Sequence, residues 1–149
     1  MSDPIQKPYA GTFERSMDAK KRVAVPSQWL ERKEGEEFYV LPDPRGQYLI
    51  VMPPAELRRW AEKIEKSIES PARQRLTLRA FYGQAHLVTT DGQGRILLPE
   101  AACEAVGLKG AVVFVGGMSR FEVWDHQRYA AWVEASRETY LEVAEAIGL

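Results

Sequence analysis

Two stretches of the chain share the pattern Asp-x-x-x-Arg-x-x-x-Pro. They are Asp18-Ala19-Lys20-Lys21-Arg22-Val23-Ala24-Val25-Pro26 and Asp91-Gly92-Gln93-Gly94-Arg95-Ile96-Leu97-Leu98-Pro99. An aspartate side chain can fix a tight turn by accepting hydrogen bonds from backbone N–H groups two residues on. Gly94 offers a position free to adopt positive φ. Turn-making accounts for Asp18, Asp91, Gly92 and Gly94, but not for Arg22, Arg95 or the lysines. Arginine is the side chain best suited to a bidentate grip on a guanine edge or a phosphate. Set just behind a rigid turn, it is aimed and has less freedom left to lose. Residues 15–22 hold Arg15, Lys20, Lys21 and Arg22 against a single acid, Asp18, whereas the second stretch has Arg95 beside neutral Gln93. The chemistry these residues can do is recognition of an anionic surface. The candidate contact residues are Arg15, Asp18, Lys20, Lys21, Arg22, Asp91, Gln93 and Arg95.

Other chemistry has little to stand on. His86 and His126 are far apart in sequence, and with Cys103 as the one cysteine a structural zinc site is not expected. Gly92-x-Gly94 continues to Leu97 rather than to a third glycine, so there is no dinucleotide fingerprint, and no phosphate-loop motif occurs. Ser16, Ser27 and Ser119 lack a nucleophile setting, and His126 beside Asp125 reads as a helix start. Cys103 reads as a small core residue. No enzyme, cofactor, metal or small-molecule substrate is expected.

The elements that must position the two motifs are themselves repeated. The second motif lies 73 positions after the first, as Asp18 to Asp91 shows. Upstream of each is an aromatic segment ending in glycine: Tyr9-Ala10-Gly11 and Phe81-Tyr82-Gly83. Downstream of each is a hairpin: residues 38–41 with 48–51 around a turn-rich 42–46, and 111–115 with 121–124 around 116–119. Each half therefore reads strand, turn, strand, short helix, hairpin, helix. Pro26 and Pro99 suit the first turn of the short helices, whose bodies are 28–30 and 101–106, with Gly107 as a stop. A linking helix spans 54–69, with Leu57, Trp60, Ile64 and Ile68 on one face. Ser70-Pro71 breaks it and starts another through Arg79. The last helix begins at Asp125, a suitable N-cap. Its stripe of Tyr129, Trp132, Val133, Tyr140, Val143 and Ile147 reads as core or subunit interface. The organisation expected is one compact domain: repeat 1 over 12–56, a helical linker over 57–84, repeat 2 over 85–128 and a C-terminal helix over 129–149.

The totals allow this. A chain of 149 residues with 45% hydrophobic content can bury a real core. One cysteine excludes an internal disulfide framework. Residues 1–7 are polar, without an apolar leader, and the longest apolar run, 111–115, is too short to span a bilayer. A net charge of −1 and a pI near 6.2 weigh against a nucleic-acid binder, for which basic character is usual. The charge is segregated, however. The C-terminal helix holds Glu134, Glu138, Glu142 and Glu145 against Arg137, so a basic tip is offset by an acidic tail.

These residues resemble the two swapped-hairpin, AbrB-like DNA-binding motifs of the MraZ family, whose pattern in each half is Asp-x-x-Gly-Arg followed by an apolar residue and a proline. Residues 91–99 match closely. The first copy carries Lys21 where the family has glycine, which predicts a less sharp turn with an added positive charge. Gly11, Gly83, Gly107-Leu108, residues 112–116 and Arg120-Phe121-Glu122-Val123-Trp124 also match, so the resemblance covers about 9–132. It implies an α+β fold: a pseudo-twofold AbrB-like β-barrel of two internal repeats, with linking and C-terminal helices. It implies a sequence-specific, double-stranded-DNA-binding transcriptional regulator that represses its own division and cell-wall operon through promoter direct repeats. It implies a ring-shaped homo-oligomer in the cytoplasm, at the nucleoid, with no membrane partner. It assigns DNA contact to Asp18–Arg22 and Asp91–Arg95. The alternative is a non-catalytic protein-interaction or scaffold module, with the helices as the working surface.

Overall fold

The computed structural model describes residues 8–149; residues 1–7, read above as polar and leaderless, lie outside the described residues. Strand β1 (Thr12–Ser16) runs into the first Asp turn, and β2 (Arg22–Ala24) leaves it. A single 3-10 turn at Ser27–Trp29 follows, then the hairpin β3 (Glu37–Pro42) and β4 (Leu49–Met52). Helices α1 (Pro54–Ser67) and α2 (Pro71–Tyr82) cross to the second half. That half repeats the order: β5 (His86–Thr89), the second turn, β6 (Arg95–Leu97), α3 (Glu100–Val106), β7 (Ala111–Gly116), β8 (Phe121–Asp125) and α4 (His126–Ala146). Pro26 and Pro99 stand at the N-caps rather than inside the first turns, where a fixed φ and a missing N–H cost nothing. Gly107 ends α3 in the left-handed region at φ 71°.

The strands pair across the halves. The main sheet has the order β1-β7-β8-β4-β3-β5, and a separate ribbon joins β2 to β6; every pairing is antiparallel. Thus β1 completes the second half's hairpin and β5 completes the first half's. The register carries the internal symmetry. Val23 pairs with Ile96, its own counterpart in the repeat, at the centre of the ribbon. In the main sheet Ile50 faces Glu122 at the centre of the β4–β8 pair. Among the described residues no helix is long and apolar enough to cross a membrane.

The barrel expected from the sequence does not close. β1 and β5 end the main sheet on opposite edges. Beyond each edge strand the Asp turn diverts the chain, so the backbone groups that would join the edges pair instead within the β2–β6 ribbon.

Burial follows from this topology. The ribbon, α3 and the 3-10 turn cover one face of the sheet, around Val23, Ile96, Trp29, Phe38, Val40, Leu49, Val51, Phe114, Phe121 and Val123. On the opposite face α1 and α2 cover Leu41, Ile50 and Met52. All four residues of β4 are therefore buried, as expected for a strand with packing on both sides. Phe121 is the hub, its ring centroid 4.9 Å from Trp29, 5.2 Å from Tyr9, 5.4 Å from Phe38 and 5.7 Å from Phe114.

Of the two roles expected for the apolar stripe of α4, core and subunit interface, the structure excludes the first. The helix is anchored at its start: Asp125 accepts a hydrogen bond from the Arg128 N–H (3.0 Å), the Arg128 guanidinium donates to the Gly46 carbonyl (2.8 Å), and His126 Nε2 meets Glu14 Oε1 at 3.0 Å. Tyr129 and Trp132 pack beside Trp124. Beyond that, none of the helix's 21 residues is buried. Trp132, Val133, Tyr140, Val143 and Ile147 are exposed, so the apolar stripe is not core. The 21-residue helix simply outruns the two strands it rests on, β7 and β8.

Phe121→Ala is expected to destabilise the fold by about 3–5 kcal/mol, because it removes a fully buried ring from an aromatic cluster too rigid to collapse into the gap. Urea unfolding followed by tryptophan fluorescence measures the loss.

Candidate nucleic-acid interface

The two Asp turns are built alike, bond for bond. Asp18 Oδ1 accepts from the N–H groups of Lys20 and Arg22, both at 2.9 Å, and Oδ2 accepts from Arg22 Nε at 2.7 Å. Asp91 Oδ1 accepts from the N–H groups of Gln93 and Arg95, both at 2.9 Å, and Oδ2 accepts from Arg95 Nε at 2.9 Å. Each loop is closed by two backbone bonds: Lys21 N–H to the Asp18 carbonyl and Asp18 N–H to the Arg22 carbonyl, with Gly94 and Arg95 in the matching roles around Asp91. This is a three-residue loop whose last residue is left-handed.

That last residue is Lys21 in one loop and Gly94 in the other, at φ 67° and 74°. The expected looser first turn is therefore absent. Three hydrogen bonds to one carboxylate over-determine the turn, and Lys21 is held in a conformation that costs a side-chain-bearing residue about 1–2 kcal/mol.

The carboxylates are held as anions. The Arg22 N–H, above all, and then the Arg22 side chain and the Lys20 N–H keep Asp18 below the usual carboxylate range. The Arg95 N–H, the Gln93 N–H and the Arg95 side chain do the same for Asp91. Hydrogen bonds to the charged form are the cause.

Strand exchange brings the two loops together. Arg95 Nη1 lies 3.9 Å from Asp18 Oδ2, so Asp18 faces both arginines. The ribbon between the loops alternates cleanly: Val23 and Ile96 are buried, while Arg22, Ala24, Arg95 and Leu97 look outward. Arg22 and Arg95 each use Nε on an aspartate, and Arg95 Nη1 also faces Asp18, which leaves Arg95 Nη2 and both Nη groups of Arg22 for a ligand. Lys20 and Gln93 are exposed at the loop tips. Arg15 is placed differently. It lies on β1, donates to the Glu14 carbonyl at 2.9 Å and stacks over Phe13 at 5.6 Å, making none of the hydrogen bonds of the turn.

Sequence reasoning missed the basic residues that flank the loops. Lys33 packs beside Gly94, next to Arg32, because Gly35 and Thr90 are joined by a backbone hydrogen bond of 2.9 Å. Lys109 sits beside the first loop, where Met17 N–H donates to the Gly110 carbonyl at 2.8 Å. Each lysine serves the other half's loop, because each loop follows a strand paired with the other half's hairpin. A lysine shortly before a glycine, between short helix and hairpin in both halves, was the available signal. The arrangement can bind an anionic groove lined by phosphates: two aimed guanidinium groups near an internal twofold, with Lys20 and Lys21 in the first loop and Lys33 beside the second, set against Glu100 and Glu34 at the same rims.

Lys21→Gly is expected to stabilise the protein by about 1 kcal/mol, since relief of the left-handed strain outweighs the added chain freedom. Gly94→Ala is expected to destabilise it by about 1–2 kcal/mol; urea melts measure both. A lowered folded pKa contributes stability that is present above the ordinary aspartate value of 3.8 and is lost as pH falls through the lowered one. The loops should thus hold from pH 8 down to pH 5 and loosen only in stronger acid. The NMR shifts of the Lys20, Arg22, Gln93 and Arg95 amides report this directly.

A family profile described as "MraZ protein, putative antitoxin-like" matches residues 81–147. A transcriptional regulator MraZ of Symbiobacterium thermophilum is 34% identical over 93% of this chain and 99% of its own length. One from Heliobacterium modesticaldum is 32% identical over 93% and 96%, and one from Shewanella oneidensis 29% identical over 88% of each. With its repeated Asp–Arg loops and this end-to-end similarity, the chain belongs to the MraZ family.

Proposed function

We propose that this protein is a sequence-specific DNA-binding transcriptional regulator that reads the duplex with the outward face of its β2–β6 ribbon. The observation that carries the reading is the pair of matched Asp–Arg loops set at the two ends of one three-residue ribbon, with Arg95 reaching to Asp18 across the halves at 3.9 Å. A B-form major groove admits a two-stranded ribbon, and arginine gripping the O6 and N7 of guanine is its commonest specific contact. The aspartates orient the arginines, and Lys20, Lys21, Lys33 and Lys109 serve the flanking phosphates. The names of the relatives, transcriptional regulators, support the same reading. Residues 12–56 and 85–128 are then the two reading halves, folded as an AbrB-like pair, and no catalysis is involved. The target is a set of direct repeats in the promoter of the protein's own operon, which it represses at the nucleoid.

Self-association completes the proposal and answers the acidic net charge. The ribbon face of one protomer offers few cations, and several protomers in a ring offer a periodic row of them, so that weak contacts combine through effective concentration. The uncovered apolar side of α4, with Trp132 and Tyr140 exposed, is where copies would meet. The same surface favours a second reading, a protein-interaction module with solvated loops. Salt separates the two: contacts to phosphate weaken by roughly 0.9 log units per contact for each tenfold rise in salt, whereas an apolar partner face resists it.

Arg22→Ala and Arg95→Ala should each weaken binding to the DNA upstream of the protein's own gene by about 1–3 kcal/mol, with the circular dichroism unchanged. Gel-shift titration measures this, and wild-type affinity in both variants would refute the assignment. Trp132→Glu combined with Tyr140→Glu should yield a monomer in the ultracentrifuge and lower promoter affinity by about 100-fold or more.

A further inference from the structure

The outward face of the ribbon has four corners. Arg22 lies opposite Leu97, and Ala24 opposite Arg95. The repeat relates Arg22 to Arg95 and Ala24 to Leu97, so the arginine corners match and the apolar corners do not. Leu97 is 56% exposed. It lines an open groove of about 500 Å³ with Leu87, which is 51% exposed, and with Lys20, Lys21 and Pro99. Single exposed leucines are ordinary on protein surfaces. This one is set apart by its place, on the face that carries both aimed guanidinium groups, with two lysines beside it. The groove sets Lys20 and Lys21 against one acid, Glu100, with His86 also on its wall, so together with the two guanidinium groups of the ribbon the surroundings are cationic on balance and the corner itself is apolar. The surface complementary to that arrangement is polyanionic with an apolar spot on its floor.

Resting on the reading of the ribbon as the DNA-facing element, we propose that Leu97 is a specificity-determining residue that packs against the 5-methyl group of a thymine in the major groove, beside the base gripped by Arg22. Among the four bases thymine alone shows a methyl group there, and apolar side chains are matched to it. Lys20 and Lys21 hold the adjoining backbone and press the groove floor toward the leucine. Ala24, the counterpart of Leu97, is too short to make the same contact, so the two halves of a pseudo-twofold reader prefer different base edges. Burial of one methyl group corresponds to about a fourfold preference for thymine over a base without one.

The experiment uses the full chain and a pool of synthetic duplexes with a randomised centre. After selection, each thymine of the enriched duplex is replaced in turn by deoxyuridine, which removes the 5-methyl group and nothing else. At one position the wild-type protein should bind the uracil duplex about fourfold more weakly. Leu97→Ala should bind both duplexes alike, and Leu97→Met should keep the difference. Leu97→Gln, close to leucine in size, replaces the alanine variant if the latter fails to fold. An enriched sequence with no uracil-sensitive position, or a sensitivity that survives in Leu97→Ala and Leu97→Gln, overturns the role of Leu97 while leaving DNA reading intact. Failure to enrich any sequence removes both.

Discussion

Each hairpin of this protein is completed by a strand from the other half. β1 hydrogen-bonds to β7, β5 to β3, and β2 to β6. Neither half could satisfy its backbone groups or bury its apolar faces alone, and a strand edge left open is a standing liability. The exchange also decides where the chemistry sits. Because β1 and β5 cross to the opposite halves before turning, their Asp loops emerge at the two ends of one ribbon rather than on opposite sides of the molecule. The short distance from Arg95 to Asp18 and the lysines lent by the opposite half follow from that crossing.

Within each loop one carboxylate satisfies two backbone donors and one guanidinium nitrogen. An exposed ion pair contributes little stability by itself. Its value here lies in aim, since an arginine tied at Nε has fewer rotamers to lose when its Nη groups meet a ligand. The first loop accepts backbone strain at Lys21 and in return presents a third cation at the tip. The second keeps glycine at that position and stays relaxed. The two loops thus have equal geometry and unequal charge: the first carries Lys20 and Lys21 beside its arginine, and the second leaves Arg95 beside neutral Gln93 and Gly94.

An acidic chain that meets a polyanion must segregate its charge. Arg15, Lys20, Lys21, Arg22 and Arg95 lie in or next to the loops, with Arg32, Lys33 and Lys109 on the turns that flank them, and the basic residues of α1 and α2 lie apart from these; glutamates line α4, whose far end leaves the body of the protein. Repulsion between DNA and the acidic tail falls off over about a Debye length, roughly 8 Å at physiological salt, so an overall charge near zero does not decide how one face behaves.

The local features were legible in the sequence. The paired Asp-x-x-x-Arg pattern, the stop at Gly107, the cap at Asp125 and the two hairpins depend on contacts within a few residues, which residue type and spacing specify directly. The partnering of the halves was not legible in the same way. Which strand pairs with which, whether the sheet closes, where Arg32, Lys33 and Lys109 end up, and that α4 stays uncovered are all decided by burial on both faces of the sheet and by register between segments far apart in the chain. A short-range pattern carries no record of such contacts. The chain alone thus determined two arginine-bearing turns; the tertiary structure made them neighbours, because only the exchanged strands let both halves bury their apolar faces at once.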